Sequence, residues 1–369
     1  MSASPLALIA ELTHRCPLHC VYCSNPLELQ KAATELKTED WTRVFSEAGR
    51  MGMLHVHLTG GEPLARADLP KLIASAREAG LYSNLITSGI GLSELRLAGL
   101  LEAGLEHIQL SLQGSQEEIA DEIAGTRSHA RKLQIASLIR ESKIAFTLNI
   151  VVHRQNLDQL EEMISVAEEL GAGRLEIANV QYYGWALSNR EMLLPTREQV
   201  ERSQAIVTAA QQRLSGRMRI DYVAPDYYAR YPKACMGGWG RRLMLIDPSG
   251  QALPCHAAGV IPGMKFDNVR ERPLEWIWNE SSAFQRFRGG DWMSEPCRSC
   301  DRRTEDFGGC RCQAFLFTGD PSATDPVCSL APQHSLVEEA LTSNPNGIPT
   351  TPRGSEPIRS SWLYRVNPR

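Results

Sequence analysis

Short apolar runs alternate with amphipathic stretches from the start of the chain. The apolar runs predict β-strands at Leu6–Leu12, His55–Leu58, Tyr82–Thr87, His107–Leu112, Ala145–Val152 and Arg174–Val180. The stretches between them predict helices at Asp40–Met51, Leu69–Ala79, Glu94–Glu102, Ala130–Ser142 and Leu157–Glu169. Two capping-box patterns, Ser115–Glu118 and Thr196–Gln199, each predict the start of a further helix, and the second helix reaches about Leu214.

Six β–α repeats with nearly all-apolar strands predict a parallel sheet that is covered by helices. Six repeats rather than eight predict an open, partial (β/α)6 TIM-like barrel. In folds of this class the active site lies at the carboxyl ends of the strands. The loop that follows the first strand, after Leu12, is therefore expected at the active-site end.

The composition changes after Val223, and this change predicts a division of the chain. Residues 1–222 are expected to form the barrel, and 223–342 a smaller irregular domain rich in Gly, Pro, Arg and Trp. In the second region we predict a short strand at Leu243–Asp247 and a helix at Trp276–Phe287, and metal rather than an apolar core as the main stabilising element. Residues 343–369 are polar and contain five prolines, which predicts a mobile tail.

The charge pattern excludes some classes of function. The chain has 369 residues, 39 basic and 43 acidic, and a net charge of -4 with the acids spread out, so we expect no nucleic-acid partner. No apolar run approaches the roughly 20 residues that span a membrane, and Met1–Pro5 lacks the pattern of a secretion signal. We therefore expect a cytoplasmic protein without a membrane partner.

Ten cysteines occur in two groups, three at 16–23 and seven from Cys235 to Cys328. In a reducing cytosol, clustered cysteines are more often metal ligands than disulfide partners. Cys16, Cys20 and Cys23 share one short loop, and a closed tetrahedral metal site requires four protein ligands. An iron–sulfur cubane held by these three thiolates would keep one iron open to another molecule.

The sequence Gly60-Gly61-Glu62-Pro63 follows the second predicted strand. Glycines there allow the backbone to approach a ligand closely, and Glu62 can accept hydrogen bonds from an ammonium group. The motif taken alone is more typical of a tight turn. Its place beside the cysteine loop favours a binding role.

Together the two motifs, Cys16-x3-Cys20-x2-Cys23 and 60–63, resemble the signature of the radical S-adenosylmethionine (SAM) enzymes. The resemblance implies that the three cysteines hold the catalytic [4Fe–4S] cluster and that the motif at 60–63 holds the amino group of SAM. It also implies that Tyr22 lies near the adenine. Further contacts to the ribose and carboxylate of SAM are implied for four polar residues near strand ends, each of which could equally be an ordinary turn or strand residue: Ser88, Ser111, Gln113 and Asn149.

The C-terminal cysteines resemble the SPASM extension of radical SAM peptide-modifying enzymes, which carries two auxiliary iron–sulfur clusters. The usual pattern is Cys-x2-Cys-x5-Cys-x3-Cys, and here Asp306 occupies the third position while Cys312 is additional. The resemblance assigns the ligands as follows: Cys235, Cys255, Cys310 and Cys312 to the first cluster, and Cys297, Cys300, Asp306 and Cys328 to the second. Eight ligands fit two cubanes, or one [2Fe–2S] and one [4Fe–4S] cluster; the resemblance and the close pair Cys310-x-Cys312 favour [2Fe–2S] for the first.

Asp306 and the segment 181–190, Gln-Tyr-Tyr-Gly-Trp-Ala-Leu-Ser-Asn-Arg, narrow the resemblance to the PqqA peptide cyclases of pyrroloquinoline quinone (PQQ) biosynthesis. The resemblance implies a carbon–carbon crosslink between the γ carbon of a Glu and the ring of a Tyr in the PqqA precursor peptide. It also implies a PqqD peptide chaperone and a flavodoxin-type reductant. Five residues of the segment either contact the peptide or pack the two domains together: Tyr182, Tyr183, Trp185, Asn189 and Arg190.

Two alternatives differ from this interpretation. The chain could be another SPASM peptide maturase that forms thioether or formylglycine products. It could also be a zinc-stabilised binding protein in which the cysteines are purely structural. The mass of the product distinguishes the first alternative from the crosslinking enzyme, and metal analysis distinguishes the second.

Overall fold

The computed structural model describes residues 4–342 and 362–368. Within this part of the chain the strands are β1 (Ala7–Thr13), β2 (His55–Gly60), β3 (Tyr82–Thr87), β4 (His107–Leu112), β5 (Ala145–Val152), β6 (Arg174–Asn179), β7 (Arg219–Val223), β8 (Leu243–Ile246) and β9 (Ala252–Leu253). They form one sheet in the order β7-β6-β5-β4-β3-β2-β1-β8-β9. All neighbours are parallel except β8 and β9.

The sheet is open rather than closed, because β7 and β9 form its two edges. The six predicted strands are confirmed as six consecutive parallel neighbours. The sequence pattern missed β7, which pairs with β6 and carries Arg219 and Asp221. Charged side chains are common on an edge strand. Here they interrupt the alternation of apolar and polar residues that would predict a strand. The predicted strand in the second region is β8, which pairs with β1.

Helices cover the sheet. They are α1 (Thr38–Arg50), α2 (Leu69–Glu78), α3 (Glu94–Ala103), α4 (Glu117–Ala124), α5 (His129–Ser142), α6 (Leu160–Glu169), α7 (Gly184–Ser188), α8 (Arg190–Leu193), α9 (Arg197–Arg213), α10 (Leu274–Glu280), α11 (Ser282–Gln285), α12 (Arg311–Thr318) and α13 (Ser335–Thr342). The main core is apolar and lies between the sheet and the helices, with Leu8, Val56, Leu148 and Ile177 fully buried. No helix in the described part is long and apolar enough to cross a membrane.

The two predicted capping boxes have different outcomes. The box at α9 is confirmed, because Thr196 Oγ1 accepts from the Gln199 backbone N–H at 3.1 Å and the Gln199 side chain accepts from the Thr196 N–H at 3.1 Å. The box at α4 is wrong. Ser115 instead donates from its N–H and its hydroxyl to Gln159 Oε1, both at 3.0 Å, because α6 supplies that acceptor.

The second region differs from its prediction in two respects. The helix expected at Trp276–Phe287 is divided into α10 and α11, because Ser281 adopts an extended ψ of 128° between them. The region also has an apolar core of its own, which includes Trp239, Leu245 and Phe287. Burial therefore contributes to its stability together with whatever its cysteines bind.

Residues 362–368, within the predicted mobile tail, lie against the barrel. The Leu363 N–H donates to Asn189 Oδ1 at 3.0 Å, and the Trp362 indole N–H donates to Glu122 Oε1 at 3.0 Å. Asn367 accepts from the Cys16 N–H at 3.1 Å and donates to the Cys16 carbonyl at 2.6 Å. This stretch is bound rather than free, whereas 343–361 and residue 369 lie outside the described residues.

Candidate active site

Three cysteines converge on the loop that follows β1, at the carboxyl end of the sheet. Cys16, Cys20 and Cys23 are free thiols and only partly exposed. The loop is fixed by α4, since the N–H groups of His19 and Val21 donate to the Ala124 and Ile123 carbonyls at 2.8 and 3.1 Å. These contacts hold the three thiols within electrostatic reach of one another.

Burial raises the pKa of the Cys16 thiol to about 11 and that of Cys20 to about 12, and it also raises the pKa of Cys23. A nearby cation is required to stabilise the thiolates, and iron supplies such a charge. Three neighbouring thiols with no fourth cysteine beside them in the described part of the chain fit a cubane that keeps one iron open.

The glycines of the 60–63 motif are required by the backbone. Gly60 has a φ of +126°, and a β carbon there would lie 2.3 Å from the Thr13 carbonyl oxygen. A β carbon at Gly61 would lie 2.4 Å from the Arg15 carbonyl oxygen. The Gly61 N–H donates to Thr13 O at 2.6 Å, which fastens the motif to the start of the cysteine loop. Pro63 then begins a buried turn of 3₁₀ helix.

Glu62 is buried, with 1 % exposure, and its carboxylate bonds to the end of β3. It accepts from the Thr87 hydroxyl at 2.6 Å, from the Ser88 N–H at 2.8 Å and from the Ser88 hydroxyl. Burial raises the pKa of Glu62, and these hydrogen bonds oppose that rise. A cationic ligand beside Glu62 would stabilise the ionised carboxylate. Ser88, predicted as a SAM contact, thus lies directly against Glu62.

A buried lysine that the sequence interpretation missed completes this part of the site. Lys132 on α5 is 0 % exposed, and its ammonium donates to Gln113 Oε1 at 2.7 Å, Ser111 O at 2.9 Å and Ser111 Oγ at 3.2 Å. Burial lowers the pKa of Lys132 to about 8, while the nearby Cys20 and Glu62 act in the opposite direction. The sequence could have indicated this lysine by its position on the buried face of α5, which it shares with Ile135, Ala136 and Ile139.

The remaining predicted SAM contacts gather around the ends of β4 and β5. The Tyr22 hydroxyl accepts from Gln113 Nε2 at 2.9 Å, and burial raises the pKa of Tyr22 well above its usual value. Asn149 pairs in register with Ser111 on the neighbouring strand. The structure therefore brings Tyr22, Ser111, Gln113 and Asn149 together at the edge where the cysteine loop lies.

The first auxiliary ligand set forms a ring of contacts. Cys255 Sγ lies 3.7 Å from Cys312 Sγ, and Cys235 and Cys310 complete the ring through contacts with each other and with this pair. Hydrogen bonds from the thiols of Cys235 and Cys312 lower the pKa values of Cys255 and Cys310. The last two cysteines of the set lie at the amino end of α12, where the helix dipole also favours thiolates.

The second set lines one small cavity that contains Cys297, Cys300, Asp306 and Cys328. Burial raises the pKa of Asp306, Cys297 and Cys328. Asp306 Oδ1 accepts from the Gly308 N–H at 3.0 Å, so its carboxylate is oriented by its own turn. Among the described residues no group of three or more His, Cys, Asp or Glu side chains is arranged around a single metal ion.

Asp325, which the sequence interpretation also missed, connects the two auxiliary ligand sets. It is fully buried, and its carboxylate accepts from the Cys310 N–H at 2.7 Å and from the Val327 N–H at 3.1 Å, one residue before Cys328. Burial raises the pKa of Asp325 to about 7. One carboxylate thus orients ligand loops of both sets.

The segment 181–190 has mixed roles. Trp185 and Asn189 are buried. The Asn189 amide donates to the Val21 carbonyl at 2.8 Å and so supports the cysteine loop. The ring of Tyr182 packs 5.0 Å from that of Tyr227. Tyr183 lines a cavity of about 290 Å³, which is also lined by Ser24, the residue after Cys23, and by Cys235, Cys255 and Cys310. This cavity joins the cysteine loop to the first auxiliary set.

Family models match both regions. A model described as "Radical SAM superfamily" matches residues 10–167, and one described as "Iron-sulfur cluster-binding domain" matches 235–301. Among solved structures, Streptococcus suis SuiB bound to S-adenosylmethionine has a TM-score of 0.75 at 21 % identity, covering 89 % of this chain and 78 % of that one. The structure titled native anSMEcpe with bound AdoMet has a TM-score of 0.62 at 17 % identity, covering 91 % of this chain and 96 % of that one. These two likenesses show a shared fold.

Curated relatives extend the match over nearly the whole chain. The PqqA peptide cyclase of Granulibacter bethesdensis is 56 % identical over 346 residues, 94 % of this chain and 92 % of the relative. That of Gluconobacter oxydans is 55 % identical over 345 residues, 93 % of this chain and 96 % of the relative. The fold and the matched regions define a radical SAM enzyme with an iron–sulfur SPASM region. At this identity and coverage, the chain belongs to the PqqA peptide cyclase family.

Proposed function

We propose that the enzyme joins the γ carbon of a Glu to the ring of a Tyr within the PqqA precursor peptide, an early step of PQQ biosynthesis. The observation that carries the proposal is the cavity beside Tyr183, which lies between the cysteine loop and the first auxiliary ligand set. A peptide side chain placed there would meet both. The name shared by the relatives at 53–56 % identity supports PqqA as the substrate.

When bound, the [4Fe–4S] cluster and SAM supply a radical that removes a hydrogen atom from carbon. Cys16, Cys20 and Cys23 would hold that cluster. The Glu62 carboxylate would accept a hydrogen bond from the amino group of SAM. The Lys132 ammonium would exchange its 3.2 Å bond to Ser111 Oγ for one to the SAM carboxylate. The loop contacts described above hold these groups in place and keep water out, which preserves the orientation that the reaction requires.

We propose a [2Fe–2S] cluster for the first auxiliary set and a [4Fe–4S] cluster for the second. The close sequence pair Cys310 and Cys312 and the family resemblance support the [2Fe–2S] assignment. Asp306 would supply the fourth ligand of the second cluster, and its harder oxygen donor would tune that cluster's potential.

The proposal includes the organisation and partners of the enzyme. Residues 1–222 would form the catalytic barrel and 223–342 the auxiliary-cluster domain, whose β8 and β9 extend the barrel sheet. A PqqD chaperone would present the precursor, and a flavodoxin-type protein would supply electrons. A reducing cytosol suits ten cysteines that serve as cluster ligands.

Anaerobic turnover with the PqqA peptide, PqqD, SAM and a reductant tests the reaction. We expect the peptide to lose two hydrogen atoms, and fragmentation should locate a Glu–Tyr linkage. The variant C20A should leave the peptide mass unchanged. A formylglycine or a thioether product would contradict the proposal and favour another SPASM maturase. Metal analysis of the anaerobically purified protein tests the cysteines separately, since zinc without iron would indicate a structural binding protein.

A further inference from the structure

A large cavity of the described structure lies away from the proposed active site. It measures about 1000 Å³ and is bordered by Ser4 and Leu6 before β1 and by Arg242 before β8. These residues mark the amino ends of the two strands, whereas the cysteine loop leaves β1 at its carboxyl end. The cavity therefore opens at the opposite end of the sheet from the SAM-binding motifs.

The lining of this cavity is strongly cationic. It contains one acidic side chain, Asp291, and five arginines: Arg241, Arg242, Arg288, Arg298 and Arg303. Within the described residues none of the five arginines forms an ion pair with a carboxylate. Since the whole chain has a net charge of -4, this concentration of positive charge is local.

Neutral groups hold several of these arginines in place. The Arg241 guanidinium lies 4.3 Å from the centre of the Phe307 ring, and Arg288 Nε donates to the Gly240 carbonyl at 2.8 Å. Arg298 and Arg303 donate to the backbone carbonyls of Met293 and Arg298, both at 2.9 Å. Rings and carbonyls position the side chains without cancelling their charge, so the cavity retains a positive field.

The cavity adjoins the second auxiliary ligand set. Arg303 lines both this cavity and the smaller one that contains Cys297, Cys300 and Asp306. Arg298 lies between the two cysteines in sequence, and Phe307 follows Asp306. A partner seated in the cavity would therefore approach the second auxiliary cluster rather than SAM.

We propose that this cavity is the docking site of an acidic one-electron carrier protein that exchanges electrons with the second auxiliary cluster. The proposal rests on the proposed function in one respect, that the second ligand set holds a redox-active cluster. In the exchange one electron passes from the reduced carrier to the oxidised cluster, with no bond made or broken and no proton required. A carboxylate-rich surface complements five uncompensated arginines and would be steered to them at low salt.

The test compares two double variants with the same change in charge. R241E/R242E reverses two exposed arginines of the cavity, and R131E/R140E reverses two exposed arginines of α5 as the control. Reduction of the second auxiliary cluster in the SAM-free holoenzyme is followed by rapid-freeze EPR. The reductant is either a reduced acidic flavodoxin or the small reductant titanium(III) citrate. No peptide is present, so the result does not depend on the crosslinking reaction.

We expect R241E/R242E to lower the second-order rate constant with flavodoxin at least about tenfold at low ionic strength. High salt should narrow the difference in rate constant between R241E/R242E and the native protein. The flavodoxin rate of the control variant and all rates with titanium(III) citrate should equal those of the native protein. Equal flavodoxin rates in all three proteins would overturn the proposal. The proposal would also be overturned if R241E/R242E lost inorganic phosphate binding but kept the flavodoxin rate of the native protein. The cavity would then be a site for small anions.

Discussion

The Tyr183 hydroxyl lies 3.1 Å from Cys310 Sγ. The next residue, Gly184, packs so closely on the cysteine loop that a β carbon there would lie 2.0 Å from the Asn25 carbonyl oxygen. One short segment thus contacts the first auxiliary set with a side chain and the cysteine loop with its backbone. A thiolate bound to iron can only accept a hydrogen bond, so Tyr183 must be the donor in the loaded enzyme.

Replacing Tyr183 with Phe should lower the reduction potential of the first auxiliary cluster, because a donor to a ligand sulfur stabilises the reduced, more negative state. The matched control is Y182F, since Tyr182 packs on Tyr227 instead. Redox titration followed by EPR measures both. An unchanged potential in Y183F would show that this contact does not influence the cluster.

Replacing Asp306 with Ala should alter the EPR signal of the second auxiliary cluster and leave SAM cleavage detectable. The reason is that Asp306 shares its cavity with Cys297, Cys300 and Cys328 and is remote from the SAM motifs in sequence. D301A, which removes an exposed carboxylate from the same loop, serves as the control. If both auxiliary signals were unchanged in D306A, the ligand assignment would be wrong.

Replacing Lys132 with Met should weaken SAM binding about tenfold or more, since a hydrogen bond to a charged group contributes about 1.5–3 kcal/mol. The pKa of Lys132 is about 8, so the amine is charged below that pH and neutral above it. SAM affinity of the native enzyme should therefore fall as the pH rises through about 8, and K132M should lack this dependence.

Equilibrium binding of SAM at several pH values measures the effect. R131M removes a positive charge from an exposed position of the same helix and should bind SAM as the native protein does. Equal affinities of K132M and the native enzyme would exclude the proposed contact to the carboxylate.

Replacing Gly60 with Ala should destabilise the fold by about 2 kcal/mol or more, because φ is +126° and the new β carbon would meet the Thr13 carbonyl at 2.3 Å. G99A is the control, since Gly99 lies within α3 and a β carbon there meets nothing within 4 Å. That change should stabilise the protein by about 0.5–1 kcal/mol. The thermal unfolding midpoint and the iron content of each variant measure these effects. An unaltered midpoint in G60A would refute the backbone argument.

The spacing of hydrophobic positions along the chain was sufficient to predict much of the sheet. The predicted bounds of β3, β4 and β5 agree with the structure, because these central strands are buried and begin and end at polar turns. Cysteine spacing likewise predicted the group of Cys16, Cys20 and Cys23, and the family resemblance predicted the two C-terminal groups that the structure brings together. Such spacing is informative because ligands of one cluster must converge whatever the surrounding fold.

Features that depend on distant packing were not predictable in this way. Lys132 joins the site only because α5 packs its apolar face on the end of β4, and the sequence marks it merely as a charge among apolar residues. Asp325 is oriented by two N–H groups from separate cysteine loops. Residues 362–368 were predicted to belong to a mobile tail, since their partners Cys16, Glu122 and Asn189 lie far away in sequence.

The contact between Asn367 and Cys16 has a consequence for biogenesis. The cysteine loop leaves the ribosome long before Asn367, yet two of its backbone hydrogen bonds are made with this residue, which is synthesised about 350 positions later. The Arg365 guanidinium also donates to the His14 carbonyl. The contacts of the cysteine loop are therefore complete only after Arg365 and Asn367 have been translated. Delivery of iron and sulfide to this loop should accordingly be post-translational, and nascent chains should leave these three thiols open to oxidation.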